Sequence, residues 1–240
     1  MSARVRVGTS GYQYDDWRGR FYPRDLPKRR WFEYYAQHFD TVEINNTFYH
    51  LPAASTFDAW HDVAPRGFLY ALKFSRYATH LKRLKDPEGP LEHFVDRAQH
   101  LGPFLGPILV QLPPGFHVHA ERLAGFLDVA PADRCWAVEF RHDSWLCDEV
   151  YAILEQHRAA LCVHDMLREH PRRVTAAWTY LRFHGDHYGG SYSPQFLSAL
   201  ARRIRGTLAQ GIDVYAYFNN DVQGDSVRNA LDLKRYLALA

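Results

Sequence analysis

The chain of 240 residues holds only three cysteines, Cys135, Cys147 and Cys162. An odd number without C-x-x-C spacing argues against a disulfide framework and against a thiolate zinc site; reduced thiols in a cytoplasmic protein are the expectation. A dominant charge sign is also missing. Lys plus Arg number 29 and Asp plus Glu 27, a formal net charge of +2, without the basic excess of a dedicated nucleic-acid binder. No apolar run approaches the ~20 residues of a membrane span, and residues 1–7 carry no apolar stretch of a secretory leader, so no membrane partner is expected. Linkers and low-complexity segments are absent, so residues 1–240 are expected to form a single domain.

What is present is abundant core material, 47% hydrophobic and 15% aromatic, arranged in a rhythm. Short β-branched or aromatic runs alternate with longer amphipathic stretches, the pattern of βα units around a parallel sheet. Strands are predicted over residues 4–8, 41–44, 68–74, 107–112, 135–140, 159–164, 178–184 and 212–218. Helices are predicted over 28–38, 55–63 (capped by Ser55), 90–101 (opened by Pro90), 120–129, 146–156, 194–209 and 222–239. Eight units of about 30 residues fit a TIM-type (β/α)8 barrel. Only residues 165–177, interrupted by Pro171, separate strands six and seven, so the sixth helix is expected to be short, irregular or missing. The competing doubly wound sheet announces itself by G-x-G-x-x-G after the first strand, and this chain reads Gly8-Thr9-Ser10-Gly11-Tyr12 there.

A strand buried on both faces should be apolar throughout. Here nearly every strand ends in polar residues, many spaced two apart and therefore on one face. Glu43, Asn45 and Thr47 close strand two, Lys73 strand three, Gln111 strand four and Glu139 with Arg141 strand five. His164 and Asp165 close strand six, Tyr180, Arg182 and His184 share a face of strand seven, and Tyr215, Tyr217 and Asn219 share one of strand eight. In a parallel barrel these ends meet at the C-terminal mouth, where active sites form. The bland alternative is a self-neutralising ion-pair network, because buried charges are costly unless paired.

Gly8-Thr9-Ser10-Gly11, then Tyr14, Trp17 and Phe21-Tyr22-Pro23, then Glu43-Ile44-Asn45-Asn46-Thr47-Phe48-Tyr49, Gln111-Leu112-Pro113-Pro114, Glu139-Phe140-Arg141 with Trp145, Tyr180-Leu181-Arg182-Phe183-His184-Gly185 and Tyr217-Phe218-Asn219-Asn220 follow one another along nearly the whole chain. In these motifs the sequence resembles the YecE family, also called domain of unknown function 72. The resemblance implies a TIM-type barrel and supplies no reaction. His164-Asp165-Met166 is less typical of the family. Likeness of fold to the endonuclease IV and xylose isomerase class of barrels does not carry function.

The chemistry must therefore be read from the mouth. Lys73, Arg141 and Arg182 suit an anion, and arginine matches a carboxylate or phosphate with two hydrogen bonds. Glu43 and Glu139 are the expected general acid and base, with pKa values pushed apart by their neighbours, and His184 joins them and Lys73 as a catalytic candidate. Asn45, Thr47, Gln111, Asn219 and Asn220 are expected to bind neutral polar groups, Asp165 to join if it turns inward, and Ser10 to offer its hydroxyl in a backbone nest. Tyr14, Trp17, Tyr49 and Trp145 are expected to wall the mouth, with loop packing the alternative for each. No cofactor is expected. A divalent metal on His164, His184, Glu43, Glu139 or Asp165 is the alternative, although H-x-H and H-E-x-x-H spacings are missing.

The leading expectation is a metal-independent enzyme, a hydrolase or lyase, acting on a small anionic molecule that is phosphorylated or sugar-like. The alternatives are a metal-dependent phosphodiesterase on nucleic acid, in the manner of endonuclease IV, and a non-catalytic metabolite-binding barrel. The oligomeric state is left open.

Overall fold

The computed structural model describes residues 2–167, 169–185 and 190–238. Its strands are β1 (Val5–Thr9), β2 (Thr41–Ile44), β3 (Leu69–Lys73), β4 (Leu105–Gln111), β5 (Trp136–Glu139), β6 (Ala160–His164), β7 (Trp178–Phe183) and β8 (Asp213–Phe218). They pair in the order β1-β8-β7-β6-β5-β4-β3-β2, every ladder parallel. This is a nearly closed TIM-type barrel, and each strand overlaps its expected span to within about two residues.

The seam lies between β1 and β2. There the ladder shrinks to a single parallel bridge, Ser10 opposite Glu43, with the Gly11 N–H donating to the Glu43 carbonyl at 2.7 Å. Two devices serve the seam. The Tyr35 hydroxyl accepts from the Thr9 N–H at 3.0 Å and donates to the Thr41 carbonyl at 3.1 Å, satisfying groups that a ladder would otherwise pair. Gly8 lets the two strands approach, since a Cβ there would lie 2.4 Å from the Thr41 carbonyl oxygen.

The helices are α1 (Trp31–Ala36), α2 (Asn46–Tyr49), α3 (Ala54–Val63), α4 (Glu88–Ala98), α5 (Ala120–Val129), α6 (Asp148–Gln156), α7 (Pro194–Ala209) and α8 (Asp225–Ala238). Their apolar faces cover the barrel: Leu197, Leu200, Ala201 and Ile204 of α7, and Val227, Ala230 and Leu233 of α8, are buried. Ser193 caps α7, accepting from the Phe196 N–H at 3.2 Å, with Pro194 in the first turn. No helix among the described residues follows β6. Instead Thr175 folds back on that strand, its hydroxyl accepting from the Leu161 N–H at 2.9 Å and donating to the Ala159 carbonyl at 2.7 Å.

Several local expectations are corrected. The first helix opens as a 3-10 turn, Lys28–Arg30, and ends at Ala36. Ser55 does not cap α3, which begins one residue earlier after Ala53 with no side-chain cap. The fourth helix begins at Glu88, ahead of Pro90. Asn45, Asn46 and Thr47 do not prolong β2, because the chain turns into α2. The expected end of the last helix, Leu239, lies outside the described residues.

The barrel interior is graded by size. Ala71, Ala137 and Ala160 face inward with Leu109 and Cys162, which leaves room for Tyr180 and Tyr217, whose rings sit 5.0 Å apart. Above this layer, toward the C-terminal ends of the strands, the interior becomes polar.

Candidate functional site

Arg182, near the end of β7, is 1% exposed and lies across the barrel axis between two carboxylates. Its Nε donates to Glu43 Oε2 at 3.0 Å and its Nη2 to Glu43 Oε1 at 2.7 Å, while Nη1 donates to Glu139 Oε2 at 2.7 Å. The remaining acceptor positions are taken too. Glu43 accepts from the Ser10 hydroxyl and from Tyr180 Oη at 2.6 Å. Glu139 accepts from Gln111 Nε2 at 2.8 Å and from Arg141 Nε. Asn45 supports this network, its Nδ2 donating to Ser10 Oγ at 2.9 Å.

Electrostatics follow from the geometry. Burial opposes ionisation of Glu43, yet the Arg182 charge and the hydrogen bonds from Arg182, Ser10 and Tyr180 outweigh it and hold the carboxyl below its ordinary value. Glu139 is held well below, with Arg182 and Arg141 overcoming the burial cost. Both carboxylates are thus pushed the same way. The expectation of an acid and a base with pKa values driven apart is corrected: neither glutamate retains a proton to give near neutral pH.

The unpaired charge belongs to Lys73, at the end of β3. It is 7% exposed and, among the described residues, its side chain makes no hydrogen bond or ion pair; its ammonium sits 4.0 Å from the centroid of the Phe48 ring. Burial, aided by the nearby Arg182 charge, pushes it down to about 8. His80 stands edge-on to the same Phe48 ring at 5.0 Å, and burial together with Lys73 and Arg76 drives it down to about 4. It reaches this place through a π-helical turn, Tyr77–Leu81, that follows β3. Such turns recur at functional sites.

His184 and Asp165 form a second layer. Both Arg141 Nη2, at 3.2 Å, and Arg182 Nη1, at 3.3 Å, face His184 Nε2. A guanidinium only donates, so Nε2 accepts and the ring proton sits on Nδ1, donating to Asp165 Oδ1 at 3.0 Å. Asp165 also accepts from the His184 N–H and from the Tyr192 hydroxyl. His184 therefore orients two arginines.

Other candidates take different places. Thr47 is buried and its hydroxyl bonds backbone, donating to the Lys73 carbonyl at 2.8 Å, so it holds the strand end in place of a ligand. Tyr14 donates to the Ser10 carbonyl at 2.6 Å. Trp17 is wholly buried beside Tyr14, Phe21 and Tyr22. Trp145 stacks on Phe140 at 4.9 Å and donates to the Phe116 carbonyl at 2.6 Å. Neither indole walls the mouth; both do the loop packing that large apolar rings do by default. Tyr49 is 74% exposed and leans on Phe48. Asn220 is buried and braces α8, donating to Asn229 Oδ1 at 2.9 Å and to the Gly190 carbonyl at 3.0 Å. Asn219 is half-buried where β8 ends. Among the described residues no three of His, Cys, Asp and Glu gather as a metal site. Sequence reasoning missed His80 and Arg76. The available signal was slight: Ser75, Arg76, Thr79 and His80, interspersed with Phe74, Tyr77 and Ala78, follow Lys73 within seven residues.

Fold and site together define a TIM-type barrel whose C-terminal mouth is braced by an arginine between two glutamates and carries an uncompensated lysine. The chain matches the family described as "Protein of unknown function DUF72" over residues 6–240, and it belongs to that family. It is 32% identical over 111 residues to the UPF0759 protein YecE of Escherichia coli (strain K12), a stretch covering 46% of this chain and 41% of that protein. The chain thus spans less than half the length of that curated relative. It is 24% identical over 269 residues to the UPF0759 protein YunF of Bacillus subtilis (strain 168), covering 97% of this chain and 94% of that protein. Among solved structures, a DUF72 family protein from Thermotoga maritima MSB8 superposes with a TM-score of 0.89 at 30% identity, covering 98% of this chain and 99% of that one. A DUF72 family protein from Enterococcus faecalis V583 has a TM-score of 0.83 at 20% identity, over 98% of this chain and 96% of that one, a likeness of fold.

Proposed function

We propose that the protein is a metal-independent enzyme that takes a small anionic molecule, phosphorylated or sugar-like, into the C-terminal mouth of its barrel. One observation carries this reading: Lys73 is a buried cation whose ammonium meets the Phe48 ring but, among the described residues, has no counterion and no hydrogen-bond acceptor, beside a network in which Glu43 and Glu139 are already matched by Arg182 and Arg141. A charge removed from water without a counterion is costly. An arriving phosphate or carboxylate removes that cost. The two glutamates serve as fixed braces for the arginines, and Lys73, whose pKa lies nearest neutrality among them, is the group that exchanges a proton with substrate. The carboxylate oxygens a divalent ion would need already accept hydrogen bonds, which favours this reading over the metal-dependent one.

The free cysteines Cys135, Cys147 and Cys162 fit a cytoplasmic setting. No helix among the described residues is long and apolar enough to cross a membrane. The test is a turnover screen of sugar phosphates and sugar acids on chelator-treated protein. Turnover that disappears in Lys73→Met while the fold is retained supports the reading. Turnover that requires added metal, or that survives Lys73→Met, overturns it.

A further inference from the structure

We propose that Lys73 is a Schiff-base-forming nucleophile, so that the anionic molecule bound at the mouth carries an aldehyde or ketone carbon. This rests on the reading of the mouth as an anion site and adds a substrate class to it.

The five lysines of the chain differ in ways that single out this one. Lys28 pairs with Asp15 at 2.6 Å, and Lys82 with Asp86 at 2.9 Å. Lys234 donates to the His38 carbonyl, and Lys85 stands exposed. Lys73 alone is buried with a side chain that makes no hydrogen bond or ion pair among the described residues, and it closes a barrel strand at the end where barrel chemistry occurs. An amine attacks carbonyl carbon only when unprotonated, and desolvation with a neighbouring cation is the usual means of raising that fraction. Here burial and Arg182 bring the group to about 8, leaving roughly a tenth as free amine at pH 7. Both neighbouring carboxylates are held by Arg182, so neither forms an ion pair with the ammonium, and their pull toward the protonated form is outweighed by burial and Arg182.

The step balances without a further reactant. The Lys73 nitrogen bonds to the carbonyl carbon, the carbon–oxygen double bond is lost, and the oxygen leaves as water carrying two protons from nitrogen. The product is a protonated imine with the single positive charge of the original ammonium. Arg141, whose side chain stays partly exposed, lies near enough for its charge to act on Lys73 and suits the anionic end of the molecule.

The experiment treats the intact wild-type protein with glyceraldehyde 3-phosphate in sodium cyanoborohydride and maps all five lysines by peptide mass spectrometry. Lys85 is the internal control for surface reactivity. The expected result is reductive labelling of Lys73 at least ten-fold faster than of Lys85, suppressed by glycerol 3-phosphate, which has the anion without the carbonyl, and absent in Lys73→Arg. Labelling of Lys73 no faster than of Lys85, while glycerol 3-phosphate still binds by calorimetry, overturns the Schiff base and leaves the anion site standing. Rapid labelling of Lys73 by neutral glyceraldehyde as well, with no protection by glycerol 3-phosphate, supports the nucleophile and overturns the anion site.

Discussion

Arg182 grips Glu43 at two points, Nε to Oε2 at 3.0 Å and Nη2 to Oε1 at 2.7 Å, with both side chains fully buried. This fork joins β7 to β2 across the barrel interior, and the third nitrogen adds Glu139 of β5. Removing one partner leaves an uncompensated buried charge, so Arg182→Met is expected to lose about 3–5 kcal/mol of unfolding free energy. Glu43→Gln should cost a similar amount, and the double variant clearly less than the two together, because the second substitution removes the stranded charge. Urea denaturation of the three variants checks this; additive losses would show that the pair is not coupled.

Lys73 should behave in the opposite way. Its folded pKa of about 8 lies below the ordinary lysine value of about 10.4, so the unfolded chain binds more protons between these two pH values. Stability therefore rises as pH climbs through that window and is lowest below it. Lys73→Met is expected to stabilise the protein at pH 7 by on the order of 2–3 kcal/mol and to abolish the rise. Unfolding midpoints from pH 7 to pH 10.5 test it; a destabilised variant with the same pH slope would contradict it.

Asp221, just beyond β8, is the acidic counterpart. Burial pushes it up to about 6, and its Oδ1 has no hydrogen-bond partner. Between about 4 and 6 the folded state holds the proton that the unfolded state has released, so this group's contribution falls as pH rises through that range. Asp221→Asn should flatten the fall and add roughly 2 kcal/mol above pH 6. Thermal melts across pH 4 to 8 read it out directly, and an unchanged profile would show that Asp221 does not titrate there.

Gly8 gives a purely steric prediction. A Cβ there meets the Thr41 carbonyl oxygen at 2.4 Å, which is backbone and does not move aside. Gly8→Ala should cost about 1–3 kcal/mol or more by forcing β1 from β2, with faster amide exchange at Gly11, whose N–H bonds Glu43 across the seam. An alanine variant as stable as wild type would mean that the seam is loose.

Much of this was legible in the chain, for a definite reason. A parallel strand buried on both faces has no cause to end in charge, so Glu43, Lys73, Glu139 and Arg182 stood out against apolar neighbours. The period of two placed Tyr180 with Arg182, and both bond Glu43. What escaped notice depended on tertiary placement. Trp17 and Trp145 carry no sign in the sequence of whether a ring faces solvent, ligand or core. His80 reaches the Phe48 ring only because the chain after β3 takes a π-helical turn, which no local pattern announced. The opposite fates expected of Glu43 and Glu139 failed because Arg182, one side chain between both, sets them alike.

The most direct test of the central claim, a buried lysine waiting for an anion, is a carbon-13 NMR titration of the lysine side chains with and without inorganic phosphate. Lys73 is expected to titrate near 8, apart from the other lysines, and to move upward by about one unit or more when phosphate binds beside it. A Lys73 signal that titrates with the surface lysines near about 10.4, or one that phosphate leaves in place, would contradict the claim.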